Sequence, residues 1–222
     1  MNNMQHISVE PTADGSATLY IKEIDEHYHS VKGALTEAQH IYRDCAFMHR
    51  SNGTTLRLLE IGFGTGLNAT VTAMAADAQH PIHYISIEKY PVDTRLLSAL
   101  QYDKQVDTTL HQAIHAAPWN TPSPITPHFT IEKLQADYLT DTLPTGIDIV
   151  YFDAFAPEKQ PEMWSIEAFT RLYATLNPGA VLTTYCAKGN IRRMLASLGL
   201  TVERLAGPIG GKREILRATR PL

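Results

Sequence analysis

From Leu56 onward the chain alternates apolar strand patterns with helical ones, and its strands include the apolar runs Val150-Tyr151-Phe152 and Ala180-Val181-Leu182. The first of these strands runs into a glycine-rich loop that opens a helix. Together these features predict an α/β fold: a mostly parallel sheet whose strands are covered by helices on both faces. In that architecture ligands bind outside the carboxyl ends of the strands.

The strand patterns fall at residues 56–61, 82–88, 128–134, 147–153, 179–186, 201–206 and 213–219, and the helical patterns near 66–78, 93–101, 104–116, 135–141, 164–176 and 188–198. Strands 201–206 and 213–219 are separated only by Gly207-Pro208-Ile209-Gly210-Gly211 and its neighbours, too short for a parallel crossover, so the last strand is expected to run antiparallel. Seven strands with the last reversed is the arrangement of the Rossmann-like S-adenosylmethionine (SAM)-dependent methyltransferase fold, an analogy of fold alone. Before this core, residues 7–23 read as a hairpin around Ala13-Asp14-Gly15-Ser16, and Ala34 to Phe47 as a helix after Gly33. The expected organisation is therefore an N-terminal extension, 1–50, packed over the sheet edge or the site, and a core domain, 51–222. The proline-rich stretch from Pro118 to Pro127 reads as a surface loop between core strands.

A chain of 222 residues that is 44% hydrophobic is long enough for one well-cored domain with an extension. No apolar run approaches the roughly 20 residues of a membrane span. The start, MNNMQHISVEP, has neither a basic nor an apolar signal region. Two widely spaced cysteines, Cys45 and Cys186, exclude a disulfide framework and imply a reduced, cytoplasmic setting. Net charge is −4, but it is unevenly spread: residues 186–222 hold 8 Lys/Arg against 2 Asp/Glu, and residues 1–185 hold 11 against 21. A basic end on an acidic body marks an anion-binding face or a set of solvated helix faces, and the sequence leaves both open.

The glycine loop carries the first chemical signal. RLLEIGFGTGLN, from Arg57, places Gly62, Gly64 and Gly66 in a GxGxG spacing, with Glu60 two residues before the first. That differs from the dinucleotide fingerprint GxGxxG. A carboxylate there favours a cation over a pyrophosphate. SAM, which carries an ammonium and a sulfonium and no phosphate, suits it; a ligand-free β–α turn is the alternative. Acids also close later strands. Glu88 stands where a doubly wound nucleotide site holds ribose hydroxyls, and Asp137 is placed to accept from an adenine amine.

The second signal is Asp153-Ala154-Phe155-Ala156-Pro157 after the apolar strand DIVYF. A carboxylate beside a transferable methyl can hold an acceptor amine and take its proton. Tyr28, Phe155 and Pro157 are assigned to the acceptor pocket, the last two as an apolar wall for a planar ring. Trp164 fits core, stacking platform or helix-start staple, and Ser165 fits an N-cap. Lys188, Arg192, Arg193, Lys212 and Arg213 suit phosphate contacts. His111 and His115 have helical spacing, but no third ligand is suggested, so no metal site is expected.

Several segments together resemble one family: EHYHSVKGALTEAQHIY (26–42), EIGFGTGLN (60–68), ISIEKYP (85–91), QAD (135–137), FDAFAPEKQPEMWS (152–165), YCAKGNIRRML (185–195) and GKREIL (211–216). They resemble the methyltransferase half of the bifunctional tRNA-modification enzyme MnmC and its stand-alone relatives, often called MnmD. The resemblance implies SAM-dependent N-methylation of the 5-aminomethyl group on wobble uridine 34 of tRNA, with Asp153 at the amine. It implies the methyltransferase alone, lacking the FAD-dependent oxidoreductase domain, with another protein or pathway supplying the substrate amine. Two other readings remain: a SAM-fold enzyme acting on a small amine, such as an aminopropyltransferase, and a non-catalytic RNA-binding module.

Overall fold

The computed structural model describes residues 6–50, 53–102 and 105–222. Two sheets organise it. Strands β1 (Ile7–Pro11), β2 (Ala17–Ile21) and β3 (Glu26–His27) form a small antiparallel meander. The main sheet comprises β4 (Leu56–Ile61), β5 (Ile82–Glu88), β6 (Ser123–Thr126), β7 (Phe129–Gln135), β8 (Ile147–Phe152), β9 (Leu176–Thr184), β10 (Thr201–Ala206) and β11 (Glu214–Thr219), in the order β10-β11-β9-β8-β4-β5-β7-β6. β4, β5, β7, β8 and β9 pair in parallel, and β11 runs antiparallel to both β9 and β10.

The seven expected core strands are present, with an eighth at the edge. Part of the proline-rich stretch, read from sequence as a loop, is β6, antiparallel to β7. An edge strand tolerates Pro124 because only one of its sides needs ladder donors. The helix expected near 135–141 is instead a single turn. The Asp137 carboxylate accepts the Leu139 N–H at 2.9 Å and the Asp141 carboxylate accepts the Asp137 N–H at 2.8 Å, so side chains take the donors a helix would use.

The helices are α1 (Ala34–Glu37), continued as a wider π-helix over Ala38–Met48, then α2 (Leu67–Ala75), α3 (Thr94–Ala99), α4 (Thr108–Ala116), α5 (Ile166–Thr175) and α6 (Gly189–Ser197). Asp93, Asp107 and Ser165 cap α3, α4 and α5 by accepting backbone N–H groups. The expected start of α4 at 104 lies outside the described residues. So does the junction at Ser51 of the expected 1–50 and 51–222 units. The described part of 1–50 shares its core with the main sheet and its helices. Ile41, Tyr42 and Phe47 pack with Leu58, Tyr84 and Tyr151, while Leu19, Ala34 and Ala38 pack with Leu67, Val71 and Tyr102. Each buried Leu, Ile, Val or Phe side chain among these contributes about 1.5–3 kcal/mol. Among the described residues no helix is long and apolar enough to cross a membrane.

The closing hairpin depends on Gly207. Its amide donates to the Arg213 carbonyl at 2.9 Å, and a Cβ on it would overlap the Lys212 carbonyl oxygen. Gly207→Ala is therefore expected to cost about 1–3 kcal/mol in urea unfolding, the range for forcing extra volume into a packed position. An unchanged midpoint would show that the turn re-forms freely.

Candidate active site

Three parallel strands end side by side, and each delivers part of the site. β4 leads into Gly62-Phe63-Gly64, β5 ends at Glu88 and β8 runs out into Asp153. A cavity of about 380 Å³ opens there. It is lined by Gly62, Gly64, Glu88, Asp137, Asp153 and Phe155, with Ile21, Tyr28 and His29 of the N-terminal meander closing it from above. Gly62 is held by close approach of backbone: its φ is 93°, and a Cβ would lie 2.9 Å from the Asp153 carbonyl oxygen. Gly64 lies under the Tyr28 ring, and Gly66 starts α2.

The charge of the lining is one-sided. Among the described residues, Glu23, Glu88, Asp137 and Asp153 face Lys89 alone, and Lys89 is paired to Asp137 at 2.7 Å. Glu88 accepts the Gly64 N–H at 3.1 Å and the Tyr90 N–H at 2.8 Å, so it pins the glycine loop while lining the cavity, and burial pushes its carboxyl up. Such a lining suits a cationic ligand and offers nothing to a pyrophosphate.

Asp153 has two firm partners. Its Oδ1 accepts the Tyr42 hydroxyl at 2.6 Å and its Oδ2 accepts the Asn68 side-chain amide at 2.8 Å. On its other side lies a second cavity of about 250 Å³, lined by Glu26, His27, Glu37, Tyr185 and Lys212, and shared with the first at Tyr28, His29, Asp153, Ala154 and Phe155. Tyr28 meets Phe155 edge-on with ring centroids 5.2 Å apart. Two chambers thus meet at one carboxylate beside a pair of touching aromatic rings.

The sequence-assigned residues distribute unevenly. Gly62, Gly64, Glu88, Asp137, Asp153, Tyr28 and Phe155 converge on the chambers. Pro157 lines neither. Glu60 also lies outside the lining, fully buried behind the loop, where Ser86 donates to its Oε2 at 2.7 Å and its Oε1 has no partner among the described residues. Burial pushes Glu60 up to about 8. Trp164 is core, its indole N–H given to the Phe155 carbonyl at 2.7 Å. His111 and His115 bond Thr70 and the Thr65 carbonyl. Of the basic residues, Lys188 pairs with Glu158, Arg192 is half-buried, and Arg193 and Arg213 are exposed. Lys212 is exposed on the hairpin turn, but its ammonium folds inward to 3.5 Å from the Tyr185 ring centroid. Sequence reasoning missed Tyr42, Asn68, His29 and Glu37. The only hint was at Asn68, a polar residue among the apolar and small residues at the start of α2.

Comparison with known proteins agrees with this geometry. Residues 130–221 match a family described as S-adenosyl-L-methionine-dependent methyltransferase. The fold, together with those matched residues, is that of the class of SAM-dependent methyltransferases. Within it the chain is related along nearly its whole length to MnmC: it is 32% identical, over 95% of its residues, to the tRNA 5-methylaminomethyl-2-thiouridine biosynthesis bifunctional protein MnmC of Cupriavidus necator, and 28% identical over 96% to that of Pseudomonas putida. It spans about a third of the length of these curated relatives, 34% and 35%. In structure it is similar to MnmC2 from Aquifex aeolicus, with a TM-score of 0.72 at 20% identity over 98% of this chain and 72% of that one. It also shares its fold with spermidine synthase from Thermotoga maritima, with a TM-score of 0.63 at 14% identity over 99% and 71%.

The buried Glu60 has a measurable consequence. Its carboxyl is ordinary, near 4.5, when unfolded and about 8 when folded, so the native state holds one more proton between those values. Stability of the free protein should therefore fall as pH rises from 4.5 to 8. Glu60→Gln removes this term and should gain about 1–3 kcal/mol on the wild type between pH 5 and 8 in urea unfolding. A difference that does not change with pH would place an ionised Glu60 in the free protein.

Proposed function

We propose that the chain methylates the 5-aminomethyl group of the wobble uridine in tRNA, with SAM in the glycine-lined cavity and the uridine in the adjoining one. The observation that carries this reading is the junction of two acidic chambers at Asp153, beside the touching rings of Tyr28 and Phe155. SAM, when bound, supplies an electrophilic methyl group on a sulfonium, which passes to a nitrogen lone pair aligned with it. The chain's residues fit that ligand: Gly62 and Gly64 line the cavity with bare backbone, and carboxylates beside them attract its positive groups.

In this reading Glu88 accepts from the ribose hydroxyls, Asp137 faces the adenine amine, and the backbone of Gly62 and Gly64 follows the methionine part. Glu60, behind the loop, acts on the ligand's ammonium only through the loop and Asn68. Asp153 holds the acceptor nitrogen, its own orientation fixed by Tyr42 and Asn68. Holding amine and methyl in line is worth several powers of ten in rate. The Phe155–Tyr28 pair offers the pyrimidine an aromatic surface on one side, as single-stranded loop bases are read by splaying and stacking. Arg193 and Arg213, with Arg192 behind them, meet the phosphates of the anticodon stem-loop. Lys188 is engaged by Glu158 and Lys212 is turned inward, so both contribute less to that face. A tRNA substrate carries with it a cytoplasmic setting.

The deciding experiment incubates the pure protein with SAM and tRNA bearing the aminomethyl group, followed by nucleoside mass spectrometry. Gain of one methyl on the wobble uridine supports the reading. No gain, or transfer of an aminopropyl group from decarboxylated SAM to a polyamine, overturns it.

Glu88→Ala should weaken SAM binding roughly ten- to a hundredfold in calorimetry, by losing hydrogen bonds to a charged acceptor and the anchor of the glycine loop. Unchanged affinity would remove Glu88 from the site. Neutralising Arg193 and Arg213 together should weaken tRNA binding and flatten its salt dependence while SAM affinity stays constant. If neither tRNA affinity nor its salt slope moves, the basic face is ordinary solvated surface.

A further inference from the structure

The acceptor-side chamber contains a second buried carboxylate beside Asp153. Glu37, the last residue of α1, is only 6% exposed and lines that chamber with Asp153, Tyr185 and Lys212. Its Oε1 accepts the Ser30 N–H at 3.2 Å. Asp153, by contrast, accepts a hydroxyl on one oxygen and a side-chain amide on the other, both from buried residues. Those two donors fix the direction of the Asp153 carboxylate, which is therefore suited to orient a cation. Glu37, with fewer donors and deeper burial, is suited to receive a proton.

An aminoalkyl group arrives from water largely as its ammonium form, and an ammonium has no lone pair to give. Something in the chamber must remove one proton before transfer. Resting on the function proposed above, we infer that Glu37 takes that proton, while Asp153 orients the nitrogen and Lys212 keeps Glu37 ionised until the acceptor arrives. One N–H bond breaks and one O–H bond forms at Glu37. The electron pair left on nitrogen then makes the N–C bond as the C–S bond breaks, and that second pair stays on sulfur. The product is a secondary ammonium, and Glu37 returns its proton to solvent through the open chamber.

The surrounding charges support this division. Burial raises Glu37 to about 7, the Asp153 charge adds to the rise, and Lys212 and the Ser30 N–H oppose it. A base near neutrality is the most effective one at neutral pH. The groups facing Glu37 come from every element around it: Asp153 after β8, Lys212 from the β10–β11 turn, Tyr185 after β9, Tyr42 from the π-helix, and Glu26, His27 and His29 from β3 and the segment after it. His29 is a poor competitor for the proton. Its Nε2 is engaged with the Thr65 hydroxyl at 2.7 Å, and burial lowers its affinity for a proton.

The test is a pH series of single-turnover rates at saturating aminomethyl tRNA, with an infrared titration of the free proteins. Glu37→Gln should slow transfer about 10²–10⁴-fold at neutral pH. It should retain SAM affinity in calorimetry, and its residual rate should climb with pH as the amine deprotonates unaided. Lys212→Met removes the cation that favours ionised Glu37, so the acidic limb of the rate profile should move to higher pH. In the infrared titration the protonated-carboxyl signal assigned by its loss in Glu37→Gln should shift upward in Lys212→Met. An active wild type with an unaltered profile in Glu37→Gln, or an unmoved limb in Lys212→Met, overturns the role of Glu37 and leaves the proposed function standing. A wild type that binds SAM but never methylates aminomethyl tRNA overturns the function itself.

Discussion

The Asp153 carboxylate joins three distant parts of the chain. It follows β8, its oxygens are bound by Tyr42 of the π-helix and Asn68 of α2, and its own carbonyl is packed against Gly62 of the glycine loop. Each contact requires a specific neighbour. Tyr42 reaches it only because the helix over Ala38–Met48 is packed into the main core through Ile41 and Phe47. Asn68 reaches it only because Gly66 turns the chain into α2 at once. The N-terminal segment is thus more than a cover: it supplies one of the two donors that fix the direction of the central acid.

That arrangement concentrates acids where burial makes them costly. Glu37, Glu60 and Glu88 all have carboxyls raised by desolvation, and Asp153 acts on the first two through its charge. Burying ionised groups without cations is unfavourable, so some of these carboxyls are neutral in the free protein. A cationic ligand reverses the balance, since it stabilises the ionised forms. Binding energy and the protonation of the site are therefore coupled, and the cost of assembling the acids is recovered only when positive groups enter.

How far the sequence exposes this site depends on the kind of information each residue carries. Gly62, Glu88 and Asp153 were legible because strand ends in a parallel sheet converge, and the strand pattern locates the ends. Asp137 was legible as a site residue, but the helix drawn through it was not formed, because two aspartates consumed the local donors. Glu60 illustrates the limit of strand logic. Side chains alternate along a strand, so an acid near its end can face the helix layer, as Glu60 does beside Ser86, and only the packing tells which. Glu37 and Tyr42 were invisible for a different reason. The Tyr42 partner Asp153 lies 111 residues away, the chamber that Glu37 lines is completed by the likewise distant Asp153, Tyr185 and Lys212, and nothing local marks a glutamate in Ala34-Leu35-Thr36-Glu37 as buried.

The basic C-terminal end shows why charge counts need coordinates. Three of its eight cations are already paired within the chain: Arg204 to Glu214 at the surface, Arg217 to Glu203, and Arg220 to backbone carbonyls at the end of α5 and the start of β9 while stacked on Tyr173. Lys188 is matched by Glu158, and Lys212 turns its ammonium into the chamber. The remaining cations are Arg193 and Arg213, both exposed, and the half-buried Arg192. So few free cations can position a nucleic-acid backbone without gripping it along its length. That is the distribution expected of an enzyme whose selectivity resides in a pocket reached by one base, since strong contacts elsewhere on the nucleic acid would slow release without favouring the transition state.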